Sequence, residues 1–194
     1  MKTRPYVQNR RAVAAANTAA RIIEATAYLF LENGDAPTLE AVAQRAEVAV
    51  QTVLRRFGSK EGLLSAAFDD YRKRIVDQRA HAPVGDIVAA VANLGEHYAE
   101  AADVALRLLA IEGTSAAGAA AAHEGRAVHR AWVERVFAPF LETLDPPERE
   151  RRIVQAVVVT DVYVWKLLHR DLGLPRADAE ATIADMLRRL LVSP

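Results

Sequence analysis

The 194-residue chain contains no cysteine. That absence excludes a disulfide framework and any thiolate metal site, and it suits a reducing compartment. Long apolar runs are missing as well: residues 89–94 and 155–160, among the longest, fall far short of the roughly 18 to 20 residues that cross a bilayer. No membrane span is expected. The start, Met1 to Arg11, is basic, but no convincing signal core or cleavage signature follows it, so the expected location is the cytoplasm. Net charge is absent too, with 25 basic against 25 acidic side chains. The balance is uneven along the chain. Residues 1–80 hold 13 basic and 9 acidic groups, whereas residues 81–194 hold 12 and 16. A field that steers a polyanion and a solvated face with a chance excess both fit that asymmetry.

Catalytic signatures are equally sparse. None of the four serines, Ser59, Ser65, Ser115 and Ser193, sits in a Gly-x-Ser-x-Gly elbow. No His-Glu-x-x-His and no phosphate-binding glycine loop occurs, and the five histidines are scattered. His123 and His129, six apart, would face different ways on one helix, which disfavours a metal pair. The chain is therefore expected to have no catalytic residues, no metal and no cofactor. A helical small-molecule enzyme is the weakest of the readings kept.

What is present is helical periodicity throughout, with no run alternating at period two for the length of a strand. A first helix is expected over about Thr18 to Glu32, stopped by Asn33-Gly34, with the residues before it either extending the helix or forming a loose arm. Thr38 caps a short helix to about Arg45, and residues 50–57 form the next. Ser59 is a suitable cap for a longer helix to about Arg79. Past His81-Ala82-Pro83, helices are expected at Val84 to Ala101, Val104 to Glu112 and Glu124 to Leu144. The Gly, Ala and Ser stretch Gly113 to His123 reads as a loop, and Pro139 as a kink. Asp145-Pro146-Pro147-Glu148 carries the signature of a helix start.

The segment 50–57 divides cleanly. At about 100° per residue, Val50, Val53, Leu54 and Phe57 share one arc, and Gln51, Thr52, Arg55 and Arg56 share the opposite one. Burying the first arc must turn the second outward. Arginine can bond guanine's O6 and N7 together, glutamine can pair with adenine, and threonine can meet a thymine methyl. With the capped helix before it, this arrangement is a helix-turn-helix whose second helix fits the major groove.

The stretch "TLEAVAQRAEVAVQTVLRRFGSKEGLL", residues 38–64, resembles the DNA-binding motif of the TetR family of bacterial transcriptional regulators, and "RIIEATAYLFLENG", residues 21–34, matches it upstream. The resemblance covers about a quarter of the chain. It implies an all-α protein: an N-terminal helix-turn-helix three-helix DNA-binding domain with its arm, residues 1–64, and a larger C-terminal helical domain for effector binding and dimerisation, residues 65–194. The expected DNA-contacting residues are Thr38, Gln51, Thr52, Arg55, Arg56 and Lys60. For Lys60 the resemblance implies a phosphate contact; an ordinary exposed lysine beside Glu61 is the competing reading. Arg4, Tyr6, Arg10 and Arg11 could enter a minor groove or merely solubilise the terminus.

Three positions depart from the family pattern. Its usual turn glycine is Glu47, so the turn either avoids a left-handed conformation or accepts strain. Its usual serine or threonine cap is Ala49, which removes about 1 kcal/mol of capping. Its frequent tyrosine is Leu54, which cannot bond a phosphate; Arg55 or Arg56 is expected to take over that contact, and which of the two reads a base stays open.

In the second half, Arg149 to Arg170 is apolar almost all round and needs cover on more than one side. A last helix begins near Pro175, with Ile183, Met186, Leu187, Leu190 and Leu191 on one stripe. Intramolecular packing would explain either segment; the resemblance implies that both pair with a second copy. Val154, Val158, Trp165, Ile183, Leu187 and Leu190 are the candidate dimer residues. His97, Tyr98, Glu112, Trp132, Phe137 and Trp165 are candidates for a pocket, each also readable as core or surface filler. Together they suggest a small, mainly apolar organic effector, coupled to DNA through the helix from Ser59 to about Arg79. The expected function is a ligand-responsive regulator, more often a repressor than an activator, acting as a homodimer on a palindrome in double-stranded DNA. An effector-independent dimeric DNA-binding protein is the alternative.

Overall fold

The structure, a computed structural model, describes the backbone of residues 4–192 and side chains from residue 12 onward. Among those residues every regular element is helical. In chain order they are α1 (Arg4–Asn33), α2 (Leu39–Arg45), α3 (Val50–Phe57), α4 (Lys60–Ala80), α5 (Ile87–Ala110), α6 (Ala116–Val136), α7 (Ala138–Leu141), α8 (Pro146–Val159), α9 (Val162–Trp165) and α10 (Arg176–Leu191), with a π-helical turn at Lys166–Asp171. The chain forms two compact units, Met1–Tyr71 with Ala110–Ala121, and Arg72–Leu109 with Ala122–Pro194. The three boundaries fall within α4, before the last residue of α5 and within α6.

The first unit is organised around a small apolar core. Ile22 and Ala25 of α1, Val42 and Ala43 of α2, Ala46, Val53 of α3 and Leu63 of α4 bury one another. Local signals set the geometry. Thr38 is extended, and its hydroxyl accepts the Ala41 N–H at 3.2 Å, which starts α2. After Ala46, the Val48 N–H returns to the Ala43 carbonyl at 2.9 Å, closing a turn that places Glu47 at φ 53°. Of the two options open for Glu47, the chain therefore takes the strained one. Ala49 supplies no side-chain cap, and α3 starts on backbone geometry alone.

Two glycines then turn the chain from α3 into α4. Gly58 has φ 78°, and its N–H closes on the Leu54 carbonyl at 2.8 Å. Gly62 is needed for a different reason: a Cβ there would run into the Phe57 carbonyl oxygen. The Ser59 hydroxyl accepts the Gly62 N–H at 3.0 Å and caps α4.

Several boundaries differ from those expected. Of the two alternatives for the residues before Thr18, the extended helix is the one observed, α1 reaching back to Arg4, because the alanine-rich stretch has high helix propensity. The side chains of Arg4, Tyr6, Arg10 and Arg11 lie outside the described residues. The two helices expected between Val84 and Glu112 are one, α5, since neither glycine nor proline interrupts residues 96–110. The expected loop at Gly113 to His123 is mostly helix. Ser115 caps α6 by accepting the Gly118 N–H at 3.2 Å, and Gly118 allows close approach of Ile111. Pro139 acts as expected: α6 ends at Val136, and the proline sits in the first turn of α7.

Asp145 accepts the Glu148 N–H at 2.9 Å and starts α8 as expected. The apolar stretch 149–170 is broken, however. The Thr160 hydroxyl donates back to the Ala156 carbonyl at 2.7 Å, and the Asp161 carboxylate takes the Tyr163 N–H at 2.8 Å to start α9. Threonine and aspartate compete with the helix backbone through such bonds. The core of the second unit is built from Val91, Leu94, Val133, Phe137, Trp165, Ile183 and Leu187, all buried.

Two substitutions test this local account. Ala49→Ser supplies an acceptor for the Gln51 or Thr52 N–H and is expected to stabilise the fold by about 1 kcal/mol. Gly62→Ala is expected to destabilise it by about 1 to 3 kcal/mol, because the Phe57 carbonyl must move. Denaturant unfolding of both variants measures the two signs.

Candidate functional site

The expected two-faced segment is α3. Val53 is fully buried, while Val50, Leu54 and Phe57 are partly buried. Gln51, Arg55 and Arg56 are exposed and Thr52 is half-buried. The structure thus brings those four side chains onto one outward strip of an eight-residue helix. Two guanidinium groups, an amide and a hydroxyl on one turn-and-a-half of helix are donors of the kind that phosphates and base edges accept.

Thr38 and Lys60 flank the strip in sequence, and both already have backbone partners. The Thr38 hydroxyl caps α2, as described. The Lys60 ammonium donates to the Ala36 carbonyl at 2.9 Å. It is half-buried and ties the loop before α2 to the start of α4. An ammonium has three donors, so a phosphate contact is compatible with that bond. The neighbouring Glu61 does something that the sequence did not reveal. Its Oε2 accepts the Ser115 hydroxyl and the Ala117 N–H, both at 3.1 Å, at the N-terminus of α6. A carboxylate there is favoured by the helix dipole. Arg45, at the end of α2, lies over the Tyr28 ring of α1 at 3.2 Å from its centroid.

In the second unit a polar cluster is buried among apolar side chains. Arg79, near the end of α4, is only 6% exposed, and its Nη1 lies 3.0 Å from His129 Nδ1 on α6. Because arginine can only donate, Nδ1 accepts and the imidazole proton sits on Nε2. That nitrogen faces Thr160 Oγ1 at 3.0 Å and the Val157 carbonyl at 3.4 Å. Thr160 spends its own proton on Ala156 and so can accept. The Tyr98 hydroxyl donates to the Thr160 carbonyl at 2.9 Å, linking α5 to the same turn.

Three titratable neighbours, His129, His97 and Tyr98, are held neutral. Burial, then Arg79, hold His129 down to about 3. His97 is likewise lowered to about 3, by burial first, then by Arg79 and His129. Burial pushes the Tyr98 hydroxyl up to about 12, against the pull of Arg79. The Arg79 guanidinium lies 5.6 Å from the Tyr98 ring centre and 5.7 Å from that of Trp132.

The other expected residues divide. His97, Tyr98, Trp132, Phe137 and Trp165 belong to the second unit and are all buried, with Tyr98 and Trp165 ring centres 5.8 Å apart. Glu112 belongs to the first unit and is half-buried. Arg79 and His129 were not singled out by sequence. In sequence Arg79 reads as a helix-end cation and His129 as one of the scattered histidines, six residues from His123, which is exposed. Of the candidate dimer residues, Val154 is 47% and Val158 59% exposed. Trp165, Ile183 and Leu187 are buried within this chain's own core, and Leu190 is half-buried.

Residues 22–67 match the family model described as bacterial regulatory proteins, tetR family. The fold resembles that of a transcriptional regulator from Rhodococcus sp. Rha1, at 18% identity and a TM-score of 0.72, covering 90% of this chain and 96% of that one. It also resembles a protein from Pseudomonas aeruginosa PAO1 assigned as a transcriptional regulator, at 15% identity and a TM-score of 0.71, covering 90% of each chain. A third structure, from Streptomyces coelicolor A3(2) and assigned to the same class, has 22% identity and a TM-score of 0.62, covering 91% of this chain and 99% of its own. No curated protein sequence matches the chain.

Two measurements probe these sites. Arg55→Ala and Arg56→Ala are each expected to weaken binding to the preferred DNA by about tenfold to a hundredfold, leaving helical content unchanged. The base reader will relax sequence preference; the phosphate contact will lower affinity for all sequences and flatten the salt dependence. For the histidines the folded pKa lies below the unfolded 6.5. Their contribution to stability is therefore full above pH about 6.5 and lost as pH falls toward 3. Unfolding free energy measured between pH 7 and 4 should decline, and more shallowly in His97→Phe.

Proposed function

We propose that this protein, whose residues 22–67 match the tetR-family model, is a transcriptional regulator of that family that acts as a homodimer on palindromic operator DNA under the control of a small, mainly apolar organic effector. Residues 1–64 carry DNA recognition, and residues 65–194 carry effector binding and dimerisation. The observation that carries the reading is the outward strip Gln51, Thr52, Arg55 and Arg56 on a helix whose opposite face is fixed in a core by Val53. Thr38 and Lys60 complete the proposed DNA-contacting set.

A monomer reading a single half-site has little specificity. Two copies with recognition helices about 34 to 36 Å apart read half-sites one turn apart, which multiplies it. The exposed apolar side chains Val154, Val158, Tyr163 and Leu167 follow one another along α8, α9 and the π-helical turn. They form the proposed contact with the second copy, in place of Trp165, Ile183 and Leu187, which this chain's own core already uses. The effector acts by linkage: a ligand that prefers a conformation with mis-spaced recognition helices lowers DNA affinity, typically through about 1 to 3 kcal/mol of coupling. Repression relieved by the ligand is the direction proposed. Among the described residues no helix is long and apolar enough to cross a membrane.

Selection of bound sequences from a random double-stranded pool, at near-physiological salt, is expected to return a palindrome whose half-site spacing reports the distance between recognition helices. An enriched but unpaired half-site would remove the dimer; no enrichment at all would remove sequence-specific recognition. Val158→Arg, at an exposed position, is expected to yield a folded monomer with at least tenfold weaker operator binding, as read by sedimentation and by titration.

A further inference from the structure

We propose that the buried cluster around Arg79 is the recognition site for the head group of the effector, and that this head group is a carboxylate, so that the ligand is a monoanionic organic acid with an apolar body. The proposal rests on the effector-controlled reading above and narrows it to a ligand class.

The argument starts from charge. A guanidinium stays protonated in a protein, and Arg79 is 94% shielded from solvent, given its 6% exposure. A buried ion needs both an opposite charge and hydrogen-bond partners. Among the described residues none of the ion pairs involves Arg79. Its bonded partner His129 is a neutral imidazole whose Nδ1 accepts a hydrogen bond from the guanidinium, so it supplies an acceptor and no negative charge. His97 and Tyr98 are neutral as well. Asp161 exerts a field on Tyr98, but its carboxylate caps α9 through the Tyr163 N–H. The cluster therefore holds one positive charge with no carboxylate bonded to it.

The donors point to the same chemistry. Arg79 Nε and Trp132 Nε1 are both buried without a partner. The guanidinium carbon of the one lies 5.7 Å from the ring centre of the other. Two N–H donors on adjacent groups, one charged and one neutral, match the two oxygens of a carboxylate. A phosphate dianion fits less well: it would leave one buried negative charge unbalanced and needs more donors than these. The ring centre of Tyr98 lies 5.6 Å from the Arg79 guanidinium, that of Phe137 5.8 Å from Trp132 and that of Trp165 5.8 Å from Tyr98, so the rest of the molecule would have to part aromatic side chains of this core. Arg79 belongs to α4 and His129 and Trp132 to α6, so an acid held by them engages the two helices that also carry Lys60 and Glu61, and Ser115's capped helix start.

The test uses full-length protein and matched acid and amide probes: benzoate with benzamide, indole-3-acetate with indole-3-acetamide, and octanoate with octanamide. Affinity is read by calorimetry and by quenching of tryptophan fluorescence, and affinity for the selected operator is read alongside. At least one acid is expected to bind ten or more times tighter than its amide. Arg79→Met is expected to abolish that preference while keeping a melting temperature at or above that of the parent, since it removes an unbalanced buried charge. Arg79→Lys, which keeps the charge but loses the fork, retains part of the preference, and Trp132→Phe weakens it. Amides that bind as tightly as acids, no binding by any acid at millimolar concentration, or an acid preference surviving in Arg79→Met would overturn the proposal. A sharp loss of melting temperature in both Arg79 variants would also overturn it, because Arg79 would then be balanced within the chain. Amides that release the operator while acids do nothing would overturn the carboxylate and leave effector control standing. Acids that bind through Arg79 without changing operator affinity would leave the site standing and overturn the control.

Discussion

The first unit depends on the burial of one side chain, Val53. It sits on an eight-residue helix too short to be stable alone, and its contact with Ile22, Val42, Ala43 and Leu63 fixes that helix in place. With Val53 inside, the rotation of α3 is set, and Gln51, Thr52, Arg55 and Arg56 have only the outward side left. The supporting details all serve this placement. Glu47 accepts a left-handed backbone so that α3 can follow α2 closely, Gly58 and Gly62 let α4 turn under the end of α3, and Lys60 pins the loop before α2. The outward strip is held in place because its reverse side is a core.

The second unit runs on an opposite principle. There a charge is buried instead of exposed, and its surroundings are made neutral by the same burial. Arg79 fixes the tautomer of His129, His129 bonds Thr160, and Thr160 in turn bends the chain by bonding back to Ala156. The break between α8 and α9 and the polar cluster are therefore one feature. That break also turns Trp165 into the core, while Val158 and Tyr163 remain at the surface.

How much of this was legible in the sequence follows from how local each signal is. The bounds of α2 and α3, and the two faces of α3, were readable because caps, glycines and periodicity act within a few residues. Asp145 and Pro139 were readable for the same reason. The extent of α5 and α6 was not, because alanine-rich stretches give weak periodicity, and the start of α6 combines the Ser115 cap with the close approach of Gly118 to Ile111. The assignment of Trp165, Ile183 and Leu187 to a dimer face shows a further limit: an apolar stripe states that something covers it, and only the fold states what. Arg79 was invisible for the complementary reason. An arginine near a helix end has no sequence mark that distinguishes a buried guanidinium from a solvated one, and its partners lie 19 or more residues away.

The most direct test of the central claim uses the absence of cysteine, which makes any introduced thiol unique. Gln51→Cys places one on the outward face of α3, and its alkylation rate can be followed with and without the selected operator duplex. The account requires fast alkylation in the free protein and at least tenfold protection by the operator, with little protection by a scrambled duplex at the same salt. Equal rates in the presence and absence of a bound operator would contradict it, because α3 would then not be the element that enters the groove.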